Sequence, residues 1–309
     1  MIRKPTEAMP SKRYRVLVYG IPGLGKSTLA LSAPKPLWVD TDRGIDRVDP
    51  THRTPYIQPA SYQEILDDLK PENPDLSGFE TIVLDTGGAL FDFMSDWIIK
   101  RNPKAGKSNG ALSLQGFGEV AAEFKRLTEY VARVLSKHLV ITFHAREDKD
   151  GDTAKWRPDV PGSTKNEVWK PVDLGGFMEA RANKRTVSFF AMDERYLAKG
   201  NRNVNEVYEV PELVKGRPNS FLTELFAKLD SAEASTSDEL GKYQALMATV
   251  AEIVGNVDDA ETATKALQSL GGLSHVFASK DEAWAKLKAR ADELGLFFDA
   301  VAKRFTQKA

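Results

Sequence analysis

The residues with the clearest chemistry are Gly20-Ile21-Pro22-Gly23-Leu24-Gly25-Lys26-Ser27, followed by Thr28. They fit G-x-x-x-x-G-K-[ST], the spacing of a phosphate-binding loop. Glycines let successive backbone N–H groups turn into one cavity, and a helix starting there adds a positive end, so the segment suits a nucleoside triphosphate. Lys26 is placed to reach the β- and γ-phosphates, and the Ser27 hydroxyl to ligate Mg²⁺. The magnesium shell also calls for a carboxylate. Asp85, closing the apolar run Phe79-Glu-Thr-Ile-Val-Leu-Asp85, is the candidate, and it has a second use as a cap for the helix expected over Ala89 to Ile99. Asp42, in Trp38-Val-Asp40-Thr-Asp42, is the candidate general base that orients the attacking water, with Asp40 as its rival and loop capping as the structural use of either. His144 ends the run His138-Leu-Val-Ile-Thr-Phe-His144, where it would either sense the γ-phosphate or serve only a structural role.

These side chains need a sheet to bring them together. Tyr14 to Tyr19 reads as a buried strand, Thr28 to Ala33 as the helix after the loop, and the runs ending at Asp40, Asp85 and His144 as further strands. Short apolar runs of this kind mark parallel strands covered on both faces, and ligands collect where such strands end. Thr186-Val-Ser-Phe-Phe-Ala and Glu206-Val-Tyr-Glu-Val read as later strands on an antiparallel edge, followed by a short helix over Asn219 to Leu229. Residues 230–238 are small, polar and turn-rich, which places a linker there. Beyond it, helical periodicity begins at Leu240, with further helices expected over Asp258 to Leu270 and Lys280 to Phe305. Phe297, Phe298, Val301 and Phe305 would supply a core or a protein-binding surface. The expected plan is a flexible basic arm at 1–12, an α/β core at 13–229, a linker at 230–238 and a small all-α domain at 239–309.

Composition narrows the chemistry. The 309 residues are 41% hydrophobic and 28% charged with a formal net charge of -1, so a nucleic-acid site would have to be a local basic patch. Absence of cysteine excludes disulfides and thiolate catalysis. With no signal-like or membrane-length apolar run, a soluble protein of the cytoplasm is expected, with no membrane partner.

Taken together, GIPGLGKST, WVDTDRGID, TIVLDTGGAL, LVITFHARED and RYLAKGNRN resemble the RecA-like P-loop ATPases, and more narrowly the phage Sak-type single-strand annealing recombinases, over residues of roughly 12 to 228. The resemblance implies a mostly parallel twisted sheet flanked by helices, with ATP and Mg²⁺ bound between protomers of a ring or filament. It implies hydrolysis oriented by Asp42 and a γ-phosphate signal carried by His144. Lys199 and Arg202, in AKGNR, would reach a neighbouring protomer's nucleotide. Asp42 is one methylene shorter than the family's usual glutamate, and His144 stands where RecA has glutamine, which would add pH dependence near a pKa of about 6.5. A basic N-terminal arm, here with Arg3, Lys4, Lys12 and Arg13, often links protomers in such proteins.

The resemblance also directs attention to single-stranded DNA. Lys100, Arg101, Lys104 and Lys107 lie in a turn-rich basic stretch. Lys155, Trp156, Arg157 and Lys165 follow His144, where this family places a DNA loop. Positive charges would track phosphate and Trp156 would stack on bases, whereas the acidic run Glu147 to Asp152 suits a solvated hairpin with Lys155 to Arg157 on its return strand. The implied function is ATP-dependent strand annealing or exchange in phage recombination, in host-cell cytoplasm, with a single-strand-binding protein as a candidate partner. The alternatives are a helicase-like motor or loader, and a nucleotide-gated scaffold whose helical domain recruits partners.

Overall fold

A computed structural model describes residues 12–150, 153–161, 164–182, 184–190, 192–215 and 217–307. The expected arm residues 1–11, with Arg3 and Lys4, lie outside the described residues. Lys12 is described, and its ammonium pairs with Asp173 at 3.0 Å.

The chain divides into two compact units, one of Ser11–Leu229 and one containing Asp230–Ala309. The first is built on a sheet that has nine strands among the described residues. Its strands are β1 (Arg15–Gly20), β2 (Pro36–Asp40), β3 (Tyr56–Ile57), β4 (Thr81–Asp85), β5 (His138–Asp150), β6 (Thr153–Pro158), β7 (Leu174–Arg181), β8 (Lys184–Ser188) and β9 (Val207–Glu209). The order is β3-β2-β4-β5-β1-β7-β8-β9, with β6 paired to the far half of β5. The strands from β3 to β7 are mutually parallel, while β7–β8, β8–β9 and β5–β6 are antiparallel.

Strand alternation builds a core on each face. Leu17, Tyr19, Leu37, Val39, Ile82, Leu84, Leu139 and Ile141 pack on one side with α2 (Tyr62–Asp68), α3 (Gly87–Arg101) and α4 (Leu114–Glu129). Val16, Val18, Trp38, Val83 and Val140 face the other, against α1 (Lys26–Ala30) and the first turns of α6, which runs Phe221–Gly255. Apolar runs covered on both faces leave the strand ends as the places for polar chemistry. Registers Gly20↔His144 and Asp40↔Asp85 bring those ends level along one edge of the sheet.

Three expectations change. Residues 230–238, read as a linker, lie within the continuous helix α6, where Ala232, Glu233 and Ala234 carry helical propensity between the serines and threonine. The C-terminal unit is not all-α: α8 (Ser279–Glu293) stops before Gly295, whose φ of 69° breaks the helix. Leu296–Asp299 and Arg304–Gln307 then pair as the hairpin β10–β11 instead of continuing the helix to Phe305. The aromatic cluster splits accordingly, with Phe305 buried among α7 (Ala260–Gly271) and α8, and Phe297 and Val301 exposed. Helix α7 starts at a reciprocal cap in which Asp259 accepts from the Thr262 N–H at 2.8 Å and the Thr262 hydroxyl meets the Asp259 N–H at 2.9 Å.

Candidate nucleotide site

The loop between β1 and α1 is shaped by its glycines. Gly23 and Gly25 both sit at φ 84°, a region costly for any side chain. Gly20 is required for a different reason: a Cβ there would stand 2.4 Å from the Met178 carbonyl of β7. The loop can therefore pass close to the neighbouring strand before turning into α1. With only five residues, α1 contributes little macrodipole, so its first N–H groups and Lys26 carry the attraction for an anion.

Lys26 is 6% exposed, and its Nζ donates to the Ile21 carbonyl at 2.9 Å. Burial pulls its pKa below the ordinary lysine value, against the opposing pull of Asp85 and Asp42. Asp85, also buried, is shifted the other way: desolvation raises its pKa, while hydrogen bonds from Thr142 and Ser27 favour its charge. A buried cation and carboxylate, both disfavoured by their surroundings, stand beside a loop built for anions. Perturbed pairs of this kind cluster at functional sites. The Ser27 hydroxyl and Asp85 carboxylate are hard oxygen donors and fit Mg²⁺, which is held by few protein ligands plus phosphate oxygens. Among the described residues no group of three or more His, Cys, Asp or Glu is placed to hold a metal ion by itself. The helix cap considered for Asp85 belongs to Thr86, which accepts from the Ala89 N–H at 3.5 Å.

The two acids after β2 are used differently. Asp40 is fully buried and accepts from the Gly44 N–H at 2.8 Å, the Ile45 N–H at 3.2 Å and the Gln58 amide at 2.8 Å. Its carboxylate closes the loop. Asp42 is partly exposed, pairs with the Arg47 guanidinium at 2.9 Å, and acts electrostatically on Lys26, Asp85 and His144. His144 lies level with Gly20 and is exposed. Desolvation and the Lys26 charge lower its pKa against Asp42, Asp85 and Asp159.

The edge thus gathers Lys26, Ser27, Asp42, Asp85 and His144, with Ile21, Pro22, Leu24 and Thr28 in the same turn. It does not gather Lys199, whose Nζ donates to the Trp169 and Val172 carbonyls at 3.0 and 2.6 Å. Its charged neighbours are Asp173, Arg15 and Lys12, at the opposite end of β1 from the loop. Arg202 is exposed on the turn closed by the Asn201–Val204 bridge.

The described residues of the candidate DNA segments lie in regular elements or in hydrogen-bonded turns. Lys100 and Arg101 are exposed in the last turn of α3, where the Arg101 guanidinium lies 4.2 Å from the Trp97 ring. Lys104 and Lys107 are exposed on the following turn, held by the Lys107 N–H to Ala111 carbonyl bond at 2.7 Å. Lys155, Trp156 and Arg157 lie on β6, the return strand of a hairpin. Trp156 is not an open platform: it is half-buried, stacked with Phe177 at 6.3 Å and packed on the main core. Arg157 approaches Asp148 at 3.9 Å. The side chain of Lys165 lies outside the described residues.

Some site residues escaped sequence reasoning. Thr142, donor to Asp85, had a signal as the one hydroxyl inside an apolar strand. Arg47 and Arg185 had none: Arg185, on β8, is brought against Gly25 only by the return of that strand beside β7.

A P-loop on the central strand, a carboxylate on the strand one removed from it, and helices on both faces define a P-loop nucleotide-binding α/β core. The chain matches the AAA_24 family, an AAA domain, over residues 12–203, and belongs to that family. Among solved structures it is similar to the flagellar accessory protein FlaH from Methanocaldococcus jannaschii, with 16% identity, coverage of 66% of this chain and 88% of that one, and a TM-score of 0.36. No curated protein matches the chain. Among the described residues no helix is long and apolar enough to cross a membrane.

Proposed function

We propose that the protein hydrolyses Mg²⁺-ATP and uses the cycle to control an oligomeric assembly on single-stranded DNA. The carrying observation is the convergence of Lys26, Ser27, Asp85, Asp42 and His144 on the loop edge. In this reading Lys26 holds the β- and γ-phosphates, and Ser27 and Asp85 hold Mg²⁺, which when bound offsets charge on the phosphate oxygens. Asp42 orients the attacking water, because Asp40 has its lone pairs committed to Gly44, Ile45 and Gln58. Release of Asp42 from Arg47 accompanies that role. His144 carries the state of the γ-phosphate into the β5–β6 hairpin that it opens. Arg202 from a neighbouring protomer completes the site, and Lys199 takes that part only by leaving its two carbonyls. Phage strand annealing or exchange is the task suggested by the narrower resemblance, with Lys100, Arg101, Lys104 and Lys107 as the exposed DNA-facing charges.

A second reading has an observation in its favour. The hairpin arginines lie beside acids of their own chain, with Arg146 on Asp148 and Asp159 at 3.0 and 3.4 Å and Arg157 on Asp148 at 3.9 Å, which suits a nucleotide-gated scaffold better than a DNA loop. ATP turnover with and without single-stranded DNA, run beside Lys26→Ala, separates the two. DNA-stimulated turnover lost in the variant supports the coupled ATPase. Nucleotide binding with slow, DNA-indifferent turnover supports the scaffold.

A further inference from the structure

Beside the loop lies a cavity of ≈ 230 Å³ that no motif accounts for. One wall is Gly25, Thr28 and Leu29; the other is Arg185 with the segments around Leu213 and Asn219. The Arg185 guanidinium lies directly against the loop, its Nη1 2.9 Å from where a Cβ on Gly25 would stand. Its Nη2 donates to the Pro211 carbonyl at 3.4 Å, and its backbone carbonyl accepts from the Val210 N–H at 2.8 Å. Among the described residues no carboxylate pairs with it. Asn219 is anchored in the same wall, donating to the Thr28 carbonyl at 2.6 Å.

On the reading that the loop binds a nucleoside triphosphate, its polarity is fixed. Lys26 reaches the β- and γ-phosphates while the loop's N–H groups hold the α- and β-phosphates, so the nucleoside lies on the side of the loop away from the γ-phosphate. Thr28 and Leu29 lead from the loop into the cavity, and Arg185 stands at the junction with a planar fork suited to a phosphate oxygen and a ribose hydroxyl. We infer that this cavity receives the nucleoside of the bound triphosphate, and that Arg185 of the same protomer contacts its α-phosphate–ribose junction. The ribose side of that contact makes Arg185 a specificity element, since bare polyphosphate offers the phosphate but no ribose.

Calorimetric titration of the full-length protein with ATP, ADP and inorganic tripolyphosphate tests this. Arg185→Ala is expected to weaken ATP and ADP by about 10- to 100-fold, with partial recovery in Arg185→Lys. Leu213→Trp, which fills the cavity without touching the loop, is expected to weaken ATP and ADP while leaving tripolyphosphate unchanged. This second variant keeps the test open if Arg185→Ala fails to fold. Wild-type protein that binds the nucleotides, with both variants binding them equally well, overturns the inference alone. Wild-type protein that binds none of the three ligands overturns the nucleotide reading itself, and this inference with it.

Discussion

The loop edge and the β5–β6 hairpin are both rich in charge, and they meet at His144 on β5, yet the chain treats them oppositely. At the loop edge, Lys26 and Asp85 are buried where desolvation works against their charges, and the pull of Asp85 and Asp42 on Lys26 only partly offsets it. On the hairpin, Arg146 has Asp148 and Asp159, Arg157 has Asp148, and Trp156 has Phe177. Charges settled within their own chain need no ligand. Buried charges held against their preference await one.

The sharpest break of that comparison lies within the edge itself, between two acids two residues apart. Asp42→Asn should lower ATP turnover by about 10²- to 10⁴-fold while leaving folding intact, since positioned general bases contribute on that order. Asp40→Asn should instead cost about 1–3 kcal/mol of stability, because the new amide cannot accept from all three donors around it. Turnover and denaturation measured on both variants assign the roles. The reverse pattern would make Asp40 the base.

Next in size is Trp156→Ala. Its packing on Phe177 and the core predicts a loss of about 2–4 kcal/mol by denaturant titration, with affinity for single-stranded DNA unchanged. DNA affinity lost at constant stability would restore Trp156 as a stacking platform. A smaller effect is expected at the end of α3. Replacing Lys100, Lys104 and Lys107 together by alanine should reduce the salt dependence of DNA binding by a slope of about 0.7 for each phosphate no longer neutralised. An unchanged slope would remove this face from the interface.

The sequence was legible where one physical demand dictates several residues at once. A phosphate loop needs glycines, lysine and hydroxyl at fixed spacing, so Gly20 to Thr28 could be read directly. Buried parallel strands need apolar runs, which made β1, β2, β4 and the first half of β5 readable together with the acids that end them. Positions set by chain return were not readable. Arg185 approaches Gly25 because β8 folds back on β7, and Trp156 is covered by Phe177 of that same β7. Local composition also misled where helix and loop propensities compete: residues 230–238 look turn-rich, yet they continue α6. In the C-terminal unit, a single glycine at positive φ turned an expected helix into a hairpin.

The smallest effect concerns His144, the point where the two regions meet. Partial desolvation of this otherwise exposed ring and the Lys26 charge push its pKa below the ordinary value, and Asp42, Asp85 and Asp159 only partly oppose them. The unfolded chain therefore takes up the proton first as pH falls through about 6.5, and the histidine's contribution to stability declines from there downward. Asp85 works in the opposite sense. Its raised pKa means that the folded state takes up that proton first, so acidification above the ordinary carboxylate range favours folding. The raw stability curve mixes the two, and the useful quantity is the difference between wild type and His144→Asn. That difference should be near constant around neutral pH and move against the wild type as pH drops below about 6.5, by an amount kept small because the ring is exposed. The same acidification should slow wild-type ATP turnover more than that of the variant, since a charged ring would stand beside Lys26. A difference curve flat from about pH 7 to about pH 5 would place His144 outside the field of the phosphate loop and leave the hairpin without its link to the nucleotide.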